Sequence, residues 1–223
     1  MTIRTKEQHM KIVLFGASGN IGRPATEELL RRGHTVTAVT RAGHVDGLEH
    51  KALTVTTGDV TDAAAVAGLA ASHDAVLSAV GPRIGQENDR ATIVGAARAL
   101  IDGLRRAGVT RLVTIGGAGS LRTPTGTRVM DDPDFPALWK ANAEAQSEAL
   151  DLYRGVHDLD WTYVSPAAVI AAGERTGAYR SAGDTLLTDD DGNSRISYAD
   201  YAIALADTIE SGTAIRRRIT VAY

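Results

Sequence analysis

Seven residues, Gly16-Ala17-Ser18-Gly19-Asn20-Ile21-Gly22, have the types and spacing to hold a pyrophosphate. Glycines let the backbone turn tightly and approach a phosphate with no Cβ in the way. A helix starting at the end of such a turn adds unpaired N–H groups and the positive end of its dipole. The flanks supply that setting. Ile12-Val13-Leu14-Phe15 is a short apolar run that reads as a buried strand. Pro24 to Arg32 has helical apolar spacing, closed by Gly33. Strand, glycine turn and helix in that order are the context in which the motif binds a dinucleotide. The spacing is GxxGxxG, which departs from GxGxxG in its first two glycines. A tight βα turn without a ligand is the plain alternative.

The second strand bears on which dinucleotide. Thr35 to Arg41 is rich in β-branched residues and ends Thr40-Arg41, with no acid before Asp46. A carboxylate at that end would accept from a ribose 2′-hydroxyl, whereas an arginine can pair with a 2′-phosphate in bidentate fashion. NADP(H) is therefore favoured over NAD(H). Arg41 stacking over adenine is the competing role and leaves the choice open. Arg23 and His44 could reach the same phosphate or serve as surface residues.

The remaining elements follow from periodicity and punctuation. Leu53 to Asp59 reads as a strand, Asp62 to Ser72 as an alanine-rich helix, and Ala75 to Val80 as a strand covered on both faces. A long helix is expected from Asn88 to Arg106, then a strand at Arg111–Ile115 ended by Gly116-Gly117. Ala118 to Pro133 is turn-rich and without period. Phe135 to Tyr153 resumes helical spacing, and Trp161–Val164 is another strand. Ala171 to Arg195 has a loop-like composition, Ser197 with Asp200 resembles a capping box opening a helix to Glu210, and Ile219–Tyr223 could add a last strand. This alternation implies an α/β fold of Rossmann type. Its sheet is doubly wound and mostly parallel, in the order 3-2-1-4-5-6, with a small C-terminal substrate-side extension. Residues 1–9 are polar and read as a disordered leader. Residues 10–223 read as one dinucleotide-binding domain, with 118–134 and 171–197 as substrate-side loops.

The ordered set formed by the GASGNIG turn, Val39-Thr40-Arg41, Gly58-Asp59-Val60 and Ser78-Ala79-Val80-Gly81 resembles the atypical short-chain dehydrogenase/reductases. The similarity is to their NAD(P)-binding, NmrA-like branch, which includes flavin reductases of the biliverdin reductase B kind. It runs from Met10 to the end of the chain. The resemblance implies that Gly16, Ser18, Gly19, Asn20, Ile21 and Gly22 hold the pyrophosphate. It implies that Asp59 and the Val60 amide meet the adenine edge and that Ser78, Ala79, Val80 and Gly81 line the ribose. Pro166, within Ser165-Pro166-Ala167, would flank the nicotinamide.

Catalysis is where the chain departs from the larger superfamily. Typical members carry Tyr-x-x-x-Lys on the helix after the fifth strand, where the lysine lowers the tyrosine pKa for proton exchange. Lys140 lies on that helix, but Pro136 occupies the position four before it. Lys140 could bind the nicotinamide ribose, donate to a substrate oxygen, or be a solvated helix residue. Thr114 and Ser120 lie near the superfamily serine without matching it. Hydride transfer to a flavin or quinone needs mainly stacking and orientation, so an enzyme does not require the tyrosine. Leu121, Val129, Met130, Phe135 and Trp139 could wall an apolar acceptor pocket or simply pack on the core.

Composition narrows the rest. A net charge of −3 and the short Arg216-Arg217-Arg218 run give no case for nucleic acid. The absence of cysteine excludes disulfides and thiolate chemistry and suits a cytoplasmic setting. No apolar run is long enough to span a bilayer. His34, His73 and His157 fall at helix ends without metal-ligand spacing, and Asp189-Asp190-Asp191-Gly192-Asn193 misses the calcium-loop pattern and reads as an acidic hairpin. An oligomer is possible but nothing in the composition demands it. The expectation is an NADP(H)-dependent oxidoreductase reducing a flavin, quinone or related small acceptor. A non-catalytic NADP(H)-binding redox sensor is the alternative, and a sugar-nucleotide epimerase or dehydratase is a weaker third.

Overall fold

The structure, a computed structural model, describes residues 9–81 and 89–223. The expected leader, apart from His9, lies outside the described residues, as do Pro82 and the helix start expected at Asn88. The chain runs β1 (Lys11–Phe15), α1 (Gly22–Arg31), β2 (Thr35–Thr40), β3 (Leu53–Thr57), α2 (Ala63–Ala70), β4 (Ala75–Ser78), α3 (Asp89–Ala107) and β5 (Arg111–Ile115). It continues with a 3-10 turn at Val129–Asp131, α4 (Ala137–Arg154), β6 (Asp160–Ser165), β7 (Val169–Ala171), β8 (Arg180–Ala182), β9 (Arg195–Ser197), α5 (Tyr198–Ser211) and β10 (Arg217–Ala222).

The sheet order is β3-β2-β1-β4-β5-β6-β10-β8. The first six strands are parallel and take the expected 3-2-1-4-5-6 arrangement; β10 extends them in parallel and β8 closes the edge antiparallel. The central strands are mostly apolar because both faces are covered. Ile12, Val13 and Leu14 are fully buried, and so are Leu112 and Val113. Leu14, Leu29, Tyr201 and Leu205 share one core with α1 and α5. Val13, Leu100, Leu150 and Tyr163 share the other with α2, α3 and α4. Crossing from β1 to β2 runs one way and to β4 the other, so a crevice opens beyond the carboxyl ends of β1 and β4.

Two local expectations are refined. α4 begins at Ala137 rather than Phe135, because Pro136 is its N-cap in extended conformation. The Ser197–Asp200 pair forms only half a capping box. Ser197 Oγ accepts from the Asp200 amide at 3.0 Å, but the Ser197 amide donates to the Tyr223 hydroxyl instead. The Asp200 carboxylate turns to Thr176 Oγ1, the Gly177 amide and Tyr223 Oη, at 2.7, 2.8 and 2.7 Å, and so ties the 171–197 segment to the last strand. No described helix is long and apolar enough to cross a membrane.

A buried ionic cluster binds the same segment to α1. Glu28, 5 % exposed, accepts from Arg31, Arg32 and Arg175, while Arg32 also reaches Asp207 and Glu210. Burial raises the Glu28 carboxyl, but the three guanidinium hydrogen bonds outweigh it and hold the group at about 2, below its ordinary 4.5. A depressed folded-state value contributes stability that is complete above the ordinary value and is lost as pH falls towards the depressed one. Glu28→Gln is therefore expected to melt lower than the parent at pH 7, with the gap narrowing as pH falls from about 4.5 to about 2. A gap independent of pH across that window would show that the charge on Glu28 contributes nothing.

Candidate functional site

Each glycine of the turn meets a different constraint. Gly16 has φ +83°, and a Cβ there would stand 2.8 Å from the Ala79 carbonyl oxygen. A Cβ on Gly19 would lie 3.3 Å from the Gly16 oxygen, and one on Gly22 only 2.0 Å from it. Gly16 thus permits the left-handed turn against the end of β4, and Gly22 permits the first turn of α1 to sit on the loop. The amides of Gly16 and Ala17 bond to the Val39 carbonyl at 3.1 and 3.3 Å, which fixes the turn to β2 as well. Ser18, Gly19 and Asn20 are exposed, Ile21 is half-buried and Ala17 is buried. Ile21 is the N-cap of α1 and supplies no side-chain hydrogen bond, and the first turn holds no acid. The positive end of the helix is left open to an anion.

Beside the turn, a cleft of about 120 Å³ is lined by Ser18, Arg23, Ala42, His44, Val45 and Asp46. Thr40 Oγ1 shapes its outer wall by accepting from the Gly43 amide at 2.8 Å and donating to the His44 carbonyl at 3.3 Å. Arg41 is exposed at the end of β2, next to Ala42 of the cleft. Arg23 is held by Glu27 at 3.0 Å and by the Asp46 carbonyl, and His44 Nε2 lies 3.5 Å from Asp46 Oδ1. Two of the three basic residues singled out in the sequence therefore wall one cleft, and the third adjoins it.

The other strand ends converge on the same edge. Asp59 Oδ1 accepts from Thr61 Oγ1 at 2.7 Å and from the Thr61 amide at 2.8 Å, and these bonds hold its carboxyl below the usual range. Val60 beside it is half-buried. Ser78 and Ala79 are buried, and the Ala79 amide donates to the Phe15 carbonyl at 2.9 Å, while Val80 and Gly81 are half-buried. Pro166 is buried with Ala167 at the end of β6, so it forms floor rather than an exposed wall.

At β5 the sheet meets α4. A Cβ on Gly116 would fall 1.9 Å from the Tyr163 ring, and one on Gly117 would touch the Gln146 side chain at 3.3 Å. Tyr163 Oη, fully buried, donates to Gln146 through Oε1 at 2.6 Å or the main-chain oxygen at 2.9 Å. Burial pushes the Tyr153 and Tyr163 phenols well up, so neither is set up to give or take a proton near neutrality. Lys140 Nζ donates to the Met130 carbonyl, pinning the 118–134 loop to α4. Pro136 is the N-cap of α4, so the position four before Lys140 lies outside the helix.

The 118–134 and 171–197 loops join into one cap. The Arg122 amide bonds to the Asp184 carbonyl at 2.9 Å and the Leu186 amide to the Arg122 carbonyl at 2.8 Å. Arg218, buried on β10, reaches Asp184 at 2.5 Å and Ser120 Oγ at 2.8 Å. Leu121 and Met130, taken from the sequence as pocket walls, are 0 % and 3 % exposed and make the cap's own core. Val129 and Phe135 are half-buried, leaving Trp139 and Leu138 as the exposed apolar surface there. Asp189 closes a tight turn by accepting from the Asn193 and Asp191 amides, but the expected acidic hairpin does not form, because β8 pairs with β10 and β9 with β7. Gln146 and Arg218 escaped the sequence reading; the one available signal for Gln146 was its place among Ala145, Ala149 and Tyr153 on the inner stripe of α4.

Because the loop's anchor is a lysine ammonium, Lys140→Met should loosen residues 118–134 selectively. Amide exchange at Leu121, Val129 and Met130 is expected to accelerate roughly tenfold, the worth of one charge-assisted bond, with α1 and β1 unchanged. Unaltered exchange in the loop would remove this structural role.

The model of the NAD(P)H-binding family matches residues 16–210. Three solved structures resemble the chain over its length. An exported-protein candidate from Burkholderia pseudomallei is 44 % identical, with TM-score 0.86, over 96 % of this chain and 100 % of the other. An epimerase candidate from Bacteroides thetaiotaomicron is 37 % identical, with TM-score 0.89, over 97 % and 98 %. An NADH-flavin reductase candidate from Streptococcus pneumoniae TIGR4 is 36 % identical, with TM-score 0.81, over 96 % and 99 %. With its Rossmann sheet, its glycine turn and an aligned span of residues 16–210, the chain belongs to the NAD(P)H-binding family.

Proposed function

We propose that the protein is an NADP(H)-dependent reductase that passes a hydride to a flavin, a quinone or a related small planar acceptor. The observation that carries it is the glycine cradle itself: Gly16 and Gly22 closed to any Cβ and Gly19 tight for one, under an uncapped helix with no acid in its first turn. In this reading Gly16, Ser18, Gly19, Asn20, Ile21 and Gly22 hold the pyrophosphate, and Asp59 with Val60 meets the adenine. Ser78, Ala79, Val80 and Gly81 line the ribose, with Pro166 beneath the nicotinamide end. Bound there, the dinucleotide supplies a hydride. The protein's own part is to hold it at the switch point, exclude water under the joined loops and orient the acceptor.

Arg41 carries the preference for NADP(H), because β2 ends on a guanidinium and no carboxylate follows in the sequence before Asp46. The name of the pneumococcal neighbour supports the acceptor class. The proposed compartment is the cytoplasm, which a cysteine-free sequence suits. Lys140 is proposed to act by holding the loop rather than by touching substrate.

NADPH is expected to bind more tightly than NADH in fluorescence titration. Arg41→Ala should cost NADPH about 10- to 100-fold while leaving NADH nearly unchanged, the range of a charge-assisted contact. A parallel loss for both would mean that Arg41 stacks on the adenine instead. NADPH oxidation is expected with flavin or quinone acceptors; tight cofactor binding without turnover on a broad panel would establish the sensor alternative.

A further inference from the structure

The loop after β2 brings a carboxylate to a place where the sequence shows none. Asp46 stands five residues beyond Arg41, yet it lines the cleft of about 120 Å³ together with Ser18, Arg23 and His44. That cleft holds roughly ten times the space one water needs, and four of its six lining residues are polar or charged. Ser18 belongs to the glycine turn and Arg23 to the first turn of α1, so the cleft continues directly from that turn.

Arg23 is held from behind. Its Nε donates to Glu27 Oε1 at 3.0 Å and its Nη1 to the Asp46 carbonyl, while Nη2 has no partner among the described residues. A guanidinium already fixed by two acceptors loses little further freedom when its remaining edge meets a ligand. The charge balance around it is narrow. Glu27 offsets Arg23, and the Asp46 carboxylate adds a second negative charge at the rim. His44 faces that carboxylate, with Nε2 3.5 Å from Asp46 Oδ1 and Nδ1 3.3 Å from the Ala42 carbonyl.

We propose that this cleft is the 2′-phosphate subsite, with Arg23 its prepositioned donor and Asp46 the carboxylate that limits how strongly NADP(H) is preferred. The proposal rests on the cofactor reading above and adds two residues to Arg41. A 2′-phosphate carries nearly two negative charges, so it gains from Arg23 and loses from Asp46. A bare 2′-hydroxyl loses nothing there, because a carboxylate is an acceptor for it. Cofactor choice is a difference of affinities, and a repulsive group sets it as surely as an attractive one.

The test is calorimetric titration of the whole chain with adenosine 2′,5′-bisphosphate and with adenosine 5′-monophosphate, which differ only in the 2′-phosphate. The parent is expected to bind the bisphosphate at least about tenfold more tightly. Arg23→Met should weaken the bisphosphate about tenfold and leave the monophosphate within about twofold. Asp46→Asn should tighten the bisphosphate alone, by about threefold because the side chain is 91 % exposed, with the gain shrinking in 1 M salt. This second variant keeps the main-chain carbonyl that holds Arg23, so it reads the charge even if Arg23→Met folds poorly. Equal losses for both nucleotides in Arg23→Met would make Arg23 a clamp on the loop and overturn its role in the subsite. No gain in Asp46→Asn would overturn the role of Asp46. A parent that binds the two nucleotides equally would instead remove the NADP(H) preference, and one that binds neither would remove the cofactor reading itself.

Discussion

The Ala79 carbonyl oxygen lies 2.8 Å from where a side chain on Gly16 would begin, and the arrangement of the binding edge depends on that approach. It exists because β1 lies between β2 and β4, so the turn after β1 has a neighbour on each side. On the β2 side its amides bond to Val39, and on the β4 side its backbone presses on Ala79. Gly22 then lets α1 begin directly over Gly16, which aims an uncapped helix end into the crevice. No other residue meets both conditions, since a Cβ would collide with backbone, which cannot swing aside as a flexible side chain can.

This explains why so much of the binding edge was legible in the sequence. Glycines at fixed spacing, an apolar run before them and a helix start after them record backbone geometry directly. Continuous apolar runs likewise marked β1 as a buried strand and β4 as one covered on both faces, and the 3-2-1-4-5-6 order followed from the alternation. Long-range partnerships left no such record. Arg218 reads in sequence as one of three adjacent arginines, yet it is buried against Asp184 and Ser120, 34 and 98 residues away. Leu121 and Met130 looked like pocket residues because the turn-rich stretch carries no period. Only its folding back on α4, fixed by Lys140 and the Met130 carbonyl, turned them inward.

The loops that cap the edge are more tightly tied than their composition suggests. The 171–197 segment is anchored to α1 through Arg175 and Glu28, to α5 through Tyr179 and Asp207, and to the 118–134 loop through Arg122 and Arg218. Ion pairs at a surface contribute little, but Glu28 is buried and shared among three arginines, so removing one partner leaves charge uncompensated. The helix that presents its N-terminus to the crevice is thus the same one that holds the cap.

The side chains along α4 constrain what the proposed chemistry can be. Tyr153 is buried with its phenol pushed up, as is Tyr163 of β6 packed against the helix, Lys140 is engaged with the loop, and Gln146 does not titrate. Such a helix face can orient an oxygen and stabilise charge on it but cannot hand it a proton. Reducing a simple ketone would leave an alkoxide, whose conjugate acid lies near that of water, about 16. Reducing a quinone leaves a phenolate, near the tyrosine value of about 10. The difference of about 6 units corresponds to roughly 8 kcal/mol of developing charge that a proton donor would otherwise have to relieve. Loss of the tyrosine–lysine pair and choice of a planar, easily reduced acceptor are, in the proposed reading, two sides of one energetic constraint.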